Sequence, residues 1–455
     1  MFVIPALAAL FTFLFLRPHE VFAPLHGLTI NMLFGAIALC YLLDARLGFS
    51  RPSGSKLLVL LGSLIVIAIF SILIKAPTTL SDQMLMLGTS LIAYVAVSEG
   101  VQTFRAISVM AALLVALTIV LAFMGVYQGL QPKICYLRGS DFSGSTTGET
   151  VDGRPCELVK ECEEGGVKGG EYLCERPGFF GTHSIGGRVR FRGLLEDPNE
   201  LCLVLAMGAP LAFGLYERQR SKKRLVFALA TFALATVCVI MTQSRSGQLS
   251  IMAALGIFFV RRFGKKGVAV AALLSVPLLI LGGRSGEEAD SSSMQRLECW
   301  SEALEMWRDN PVLGVGQGQF TEYHYLTAHN SFLLTLAEMG PLGLFVYSCI
   351  LYFALKITLR AQLDLDRPEA AVARSWGASI MASLAALTVS SFFLSVPFNT
   401  ILWIFLAMAG SFYAAVRRHE PSWRVRFGLG DLALVAFTDV TMVLGLMFYI
   451  RLKGV

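Results

Sequence analysis

The sequence predicts an all-α membrane protein of about twelve transmembrane helices with two long hydrophilic loops, and three observations carry that expectation. Hydrophobic residues fill 55% of 455 positions and charged residues only 15%, for a mean hydropathy of +0.64. Apolar runs recur near the roughly 17–25 residues that a helix needs to cross the hydrocarbon core. Lys and Arg are shared unequally between alternate loops. A soluble domain could not carry this apolar content, and lipid offers the backbone no hydrogen-bond partner, so the runs must be helices.

The runs lie near 2–16, 28–43, 57–74, 82–98 and 106–126, an N-terminal unit of five spans over 1–126. Central spans near 199–216, 225–241, 248–260 and 267–283 occupy 198–283, and spans near 341–357, 375–393 and 400–416 occupy 341–426. Phe2–Leu16 is followed directly by Arg17, Pro18 and His19, with no small-residue cleavage site, so it reads as a retained span and not as a signal peptide. The tail, 427–455, holds one more apolar stretch at 431–450, interrupted by Asp431 and Asp439. Spanning and interfacial placement both stay open for it.

Orientation follows from the basic residues. One set of loops holds clusters such as Arg218, Arg220, Lys222, Lys223 and Arg224, and Arg417, Arg418, Arg424 and Arg426, whereas the short loops of the other set hold only Arg17, Lys75 and Arg245. Short basic loops stay cytoplasmic, so both ends of the twelve-span bundle are expected inside. The net charge of +6 is then a matter of topology and needs no nucleic-acid partner.

The two long loops, 127–197 and 284–340, fall outside. The first contains Cys135, Cys156, Cys162 and Cys174 in a segment too polar to build a core. An oxidising periplasm permits two disulfides, and four cysteines allow three pairings that sequence leaves open. Zinc is the weaker reading, because Cys156 and Cys162 lack the usual ligand spacing. In the second loop Met294, Leu297, Trp300, Leu304 and Trp307 recur at helical steps, an apolar stripe that lies on the membrane or caps the bundle.

The residues that follow carry the functional signal. Pro311-Val-Leu-Gly-Val-Gly-Gln-Gly-Gln-Phe320 is succeeded by His329-Asn330-Ser331-Phe332 and then by Glu338-Met-Gly340-Pro-Leu-Gly343 leading into a span. Upstream stand Arg190-Phe-Arg192-Gly193, Asp197-Pro198-Asn199 and Thr242-Gln-Ser244-Arg245-Ser246-Gly247. This ordered block, over roughly 188–345, resembles the signature of the O-antigen ligase and O-antigen polymerase superfamily. The resemblance implies a GT-C-like bundle in the bacterial inner membrane with two periplasmic loops. It also implies transfer of a saccharide from an undecaprenyl-diphosphate-linked donor to an acceptor hydroxyl, on a lipid A core for a ligase or on a growing chain for a polymerase.

Such chemistry needs cations for the departing diphosphate, and Arg offers planar, charge-assisted forks. Outer arginines beyond the first loop are Arg188, Arg190, Arg192, Arg245, Arg284, Arg296 and Arg308. Arg245 and Arg296 are the first candidates. Arg245 sits where the charge rule disfavours a cation, and Arg296 precedes the tryptophan-bearing helix as the resemblance implies. Arg192 and Arg190 are candidate substrate contacts, together with Asn330, Gly316 and Gly318. His329 is the candidate acid–base group, since an imidazole titrating near neutrality can take a proton from an attacking hydroxyl. Snorkelling for Arg245, a solvated helix face for Arg296 and helix capping for Asn330 or Ser331 are the plain structural alternatives. The outer loops show no D-x-D-like pair of carboxylates beside an apolar span, and the resemblance implies a metal-independent reaction with arginines in the metal's place, so no cofactor is expected.

A secondary transporter is the rival from another class, and a non-catalytic scaffold the third. Against transport, the spans form no repeat halves and few ionisable groups stand at mid-span.

Overall fold

The computed structural model describes the chain apart from residues 139–149, 168–169, 268, 271–272, 274–286, 366, 368–369 and 455, and apart from the side chains of 150 and 287–290. The helices in order are α1 (Val3–Leu16), α2 (Pro18–Val21), α3 (Ile30–Arg46), α4 (Lys56–Lys75), α5 (Leu80–Gly100) and α6 (Phe104–Leu130). Then come β1 (Ile134–Arg138), β2 (Thr150–Pro155), α7 (Val159–Glu164) and β3 (Glu171–Glu175). They are followed by α8 (Pro198–Gly208), α9 (Leu211–Arg218), α10 (Lys222–Met241), α11 (Arg245–Phe263), α12 (Glu287–Asp309) and α13 (Phe320–Tyr323). α14 (Ser331–Asp364), α15 (Ala371–Ser391), α16 (Thr400–His419) and α17 (Leu429–Lys453) complete the chain.

Among the described residues, nine helices are long and apolar enough to cross a membrane, α17 included, and the protein is a multi-pass membrane protein. The count differs from twelve for physical reasons. α1 has 14 residues, about 21 Å at 1.5 Å each, short of the roughly 30 Å hydrocarbon core. α3 has 17 residues, and α11 spends parts of its 19 on Arg245, Arg261 and Arg262. Most of the expected span at 267–283, and Arg284, lie outside the described residues.

α16 is the axis of the bundle. Every residue from Ile401 to Val416 is buried, and α5 and α15 pack along it. Small residues allow the approach: a Cβ on Gly410 would come within 2.8 Å of Ser98, and the Ser411 hydroxyl donates to the Val97 carbonyl at 2.6 Å. α17 instead shows most of its apolar surface, with Phe437 and Phe448 well exposed, as a lipid-facing helix does. The two acids that interrupt its apolar run dock it onto α14. Asp431 pairs with Lys356 and Tyr352, and Asp439 accepts from the Ser348 hydroxyl at 2.7 Å.

The cysteine segment is the exception to the all-helical plan, because it folds as a three-stranded antiparallel sheet in the order β2-β1-β3. Cys135 is bonded to Cys162 and Cys156 to Cys174, and these sulfurs with Tyr172 form a small core separate from that of the bundle.

The amphipathic helix extends further than its stripe and rotates away from it. α12 buries Leu297, Cys299, Ala303 and Met306 against α14, leaves Trp300, Leu304 and Trp307 half-buried, and exposes Met294. Contact with a neighbouring helix, and not with a membrane surface alone, selects the buried face.

Candidate active site

The site begins with two helix N-termini. Asp197 caps α8, accepting from the Asn199 amide at 2.8 Å. Ser244 caps α11, accepting from the Gly247 amide at 3.1 Å, which places Arg245 in the first turn. Asn199 joins the two, its Oδ1 accepting from the Ser244 hydroxyl at 2.6 Å and from Arg188 Nη2 at 3.4 Å while its Nδ2 donates to Asp197 at 2.8 Å. Arg188 Nε donates to the Thr242 carbonyl at 2.9 Å, and the Ser244 and Ser246 hydroxyls are 2.9 Å apart. Around this network Arg188, Arg245 and Arg296 line one cleft with Asn199, Gln243 and serines of α11 and α12. The cleft holds about 70 Å³, room for a small anionic group. Three guanidiniums and the positive end of α11 meet there, an arrangement suited to concentrated negative charge.

Arg296 comes from α12, with its guanidinium 5.9 Å from the ring centre of Phe393. Its charge acts beyond the cleft, on His329. Burial lowers the pKa of His329 from the ordinary 6.5, the positive charge of Arg296 lowers it further, and Asp197 opposes the shift. The imidazole is therefore held neutral, the form that accepts a proton. His329 is half-buried, and its ring hydrogen-bonds no other described residue. Its backbone is left-handed (φ 48°), as is that of Gln243 in the cleft wall (φ 52°). Such strain in non-glycine residues gathers at functional sites.

The other expected site residues lie elsewhere. Asn330 is 1% exposed and caps α14, its Oδ1 accepting from the amides of Phe332 and Leu333. Arg192 belongs to a separate cluster, with Nη1 at 3.9 Å from Glu20, Nη2 donating to the Phe180 carbonyl, and burial depressing its pKa. Arg190 donates to the His183 carbonyl at 3.0 Å and pairs with Glu196 at 3.3 Å, and its amide donates to Gln128 on α6 at 2.9 Å. Both fasten the cysteine segment to the bundle. Neither lines the cleft.

Gly316 and Gly318 stand in a loop laid against a break in α14. At Gly340 the helix is interrupted (φ 68°), and Pro341 supplies no N–H, which leaves two carbonyls of the preceding turn without helical partners. The loop provides them: Val315 donates to Ala337 O at 2.9 Å and Gly316 to Glu338 O at 3.0 Å. The buried Glu338 carboxylate accepts the Phe320 amide at 3.2 Å. A Cβ on Gly314 would sit 2.2 Å from the Ala337 carbonyl oxygen, and one on Gly340 2.1 Å from that of Val312. The glycine spacing thus matches a close backbone approach.

Among the described residues, the one group of three His, Cys, Asp or Glu side chains near enough to share an ion is Cys135, Cys156 and Cys162, all in disulfides. Arg188, Asn199, Gln243 and Ser244 enter the site without having been singled out from sequence. The signal was available, since Asp197-Pro198-Asn199 and Thr242–Gly247 belong to the quoted motif block. Residues 230–348 match a family model described as O-antigen ligase, a stretch that holds Arg245, Arg296, His329 and the glycine loop. No match to a curated protein is found.

Proposed function

We propose, from the premise that this multi-pass membrane chain belongs to the O-antigen ligase and polymerase superfamily, that it transfers a saccharide from a polyprenyl diphosphate to an acceptor hydroxyl. The observation that carries the reading is the convergence of Arg188, Arg245 and Arg296 on one cleft, with His329 within the electrostatic reach of Arg296. The acceptor oxygen attacks the anomeric carbon while the bond to the diphosphate oxygen breaks. Its electron pair passes to the leaving diphosphate, whose growing charge the guanidiniums stabilise. The acceptor proton passes to neutral His329. Arginines perform the neutralisation that a divalent cation performs in other diphosphate-dependent transferases, so the reaction proceeds without a metal. The cleft faces the periplasm, the chain lies in the inner membrane with the basic loops in the cytoplasm, and the donor is undecaprenyl-linked.

Purified protein in proteoliposomes, given a polyprenyl-diphosphate-linked glycan and an acceptor, tests this directly. Transfer persists in excess chelator and disappears in Arg245→Ala and His329→Ala; transfer undiminished in both variants would refute the reading. Ligase and polymerase differ in acceptor. Deletion that leaves single repeats on the core marks a polymerase, deletion that leaves free long chains and a naked core marks a ligase, and unchanged surface glycan sinks both.

A further inference from the structure

A second and larger cavity lies at the opposite end of the bundle. α4 fixes the geometry. At its C-terminus Lys75 donates to Asn310, at the start of the glycine loop, at 2.8 Å, while Ser53 lies beyond its N-terminus. Twenty helical residues separate the two ends by about 30 Å. Around Ser53 the α3–α4 connection and the ends of α5 and α16 enclose about 610 Å³. Arg51, Arg417 and Arg418 line this space above Ser53 and Gln102, and no carboxylate is among its described lining residues.

The cations are set in place. Arg417 Nη1 donates to the Ser53 carbonyl at 2.9 Å, its guanidinium stands 5.8 Å from the Tyr413 ring centre, and its buried Nε has no hydrogen-bond partner among the described residues. Arg418 donates to the Phe49 carbonyl at 3.3 Å. Arg51 is held through its backbone, its amide donating to Gln102 Oε1 at 3.2 Å and its carbonyl accepting from the Gln102 amide, and its guanidinium hydrogen-bonds no described residue. Below the floor Glu99, 4% exposed, accepts from Ser53 N at 2.7 Å and Ser53 Oγ at 2.6 Å, so its carboxylate is engaged by the underside of the loop.

Cations retained only for topology need to be on the right side of the membrane and nothing more. Here segments 364 residues apart bring three of them to one concavity with a fixed polar floor. Guanidinium forks at the level where helices end match phosphate groups in charge and shape. We propose that this cavity binds a phosphate-bearing ligand, a phospholipid headgroup or a soluble diphosphate, at a site separate from the arginine cleft.

Native mass spectrometry and thermal melts of the full-length protein in detergent, with cardiolipin, phosphatidylethanolamine or inorganic diphosphate as probe, test the proposal. Cardiolipin or diphosphate is retained in preference to phosphatidylethanolamine. Retention of cardiolipin alone identifies a lipid as the source, and retention of diphosphate identifies a soluble anion. Arg51→Gln, which removes no described side-chain hydrogen bond and so spares the fold, weakens retention about tenfold, and Arg417→Gln with Arg418→Gln weakens it further. Lys222→Gln with Lys223→Gln, at the same end of the bundle and outside the cavity, leaves it unchanged. Equal retention of phosphatidylethanolamine and of cardiolipin and diphosphate, retention indifferent to Arg51→Gln and to the double arginine variant, or equal loss in the lysine control overturns the proposal.

Discussion

Arg296→Gln separates two roles that the proposed function gives one side chain. The first is stabilisation of the departing diphosphate. Removing one charge-assisted donor from a preorganised oxyanion site costs about 2.7–4 kcal/mol, so transfer slows on the order of a hundredfold to a thousandfold at any pH. The second acts through His329, whose pKa is lowered by burial first and by Arg296 next. Without that cation the imidazolium is less disfavoured and the pKa rises toward 6.5. The base must be neutral, so the acid limb of the pH–rate profile moves up, and the variant loses more rate at pH 6 than at pH 8. Asp197→Asn moves the limb the other way, because Asp197 opposes the shift, and asparagine remains a good N-cap for α8. Arg296→Lys keeps the charge and the position of the limb but loses the planar fork, and falls between the two in rate. The assay is single-turnover transfer in proteoliposomes across pH. An acid limb that stays in place in Arg296→Gln, or moves down, refutes the assignment of His329 as the base under the influence of Arg296.

Three further outcomes test the scaffold. Cys135→Ser with Cys162→Ser opens a loop of sequence separation 27 and removes about 3–4 kcal/mol from the sheet segment; limited proteolysis then cuts within 131–187 while the melting of the bundle is unchanged. Gly340→Ala and Gly314→Ala each meet a backbone oxygen and add a left-handed penalty of about 1–2 kcal/mol, so both lower the melting temperature, whereas Gly445→Ala, with open space around it in α17, is neutral or raises it. Asp431→Ala leaves Lys356 half of a broken ion pair and loosens α17, read as faster hydrogen exchange over 429–453 and not over α16.

What could be read from the sequence is what depends on local composition. Apolar runs located most of the helices, the place of Arg245 between apolar spans marked it out, and the family resemblance marked out Arg296, 51 residues further along the chain. What could not be read depends on distant partners. Arg192 resembles Arg245 in sequence, yet Glu20, brought beside it by the N-terminal helices, draws it into another cluster. The disulfide pairing was hidden for a similar reason: Cys135 and Cys174 stand opposite each other on β1 and β3, and each bonds a cysteine elsewhere, on α7 and just past β2. The glycine motif reads equally as a cradle for phosphate and as an approach to a broken helix, because both need positive φ, and the partner carbonyls that show the approach lie far along the chain. Asp431 and Asp439 obscured α17 because a carboxylate counts against a span unless its partner on α14 is known.

The break at Gly340 also has a mechanical side. Since the carbonyls it frees are held by Val315 and Gly316, the first turns of α14 are tied to the chain that precedes them. That same loop is pinned to α4, through Gln317 to the Ser71 hydroxyl at 3.1 Å. The backbone on either side of His329 is consequently braced at both ends. A ligand pushing on the imidazole meets a strut, not a hinge.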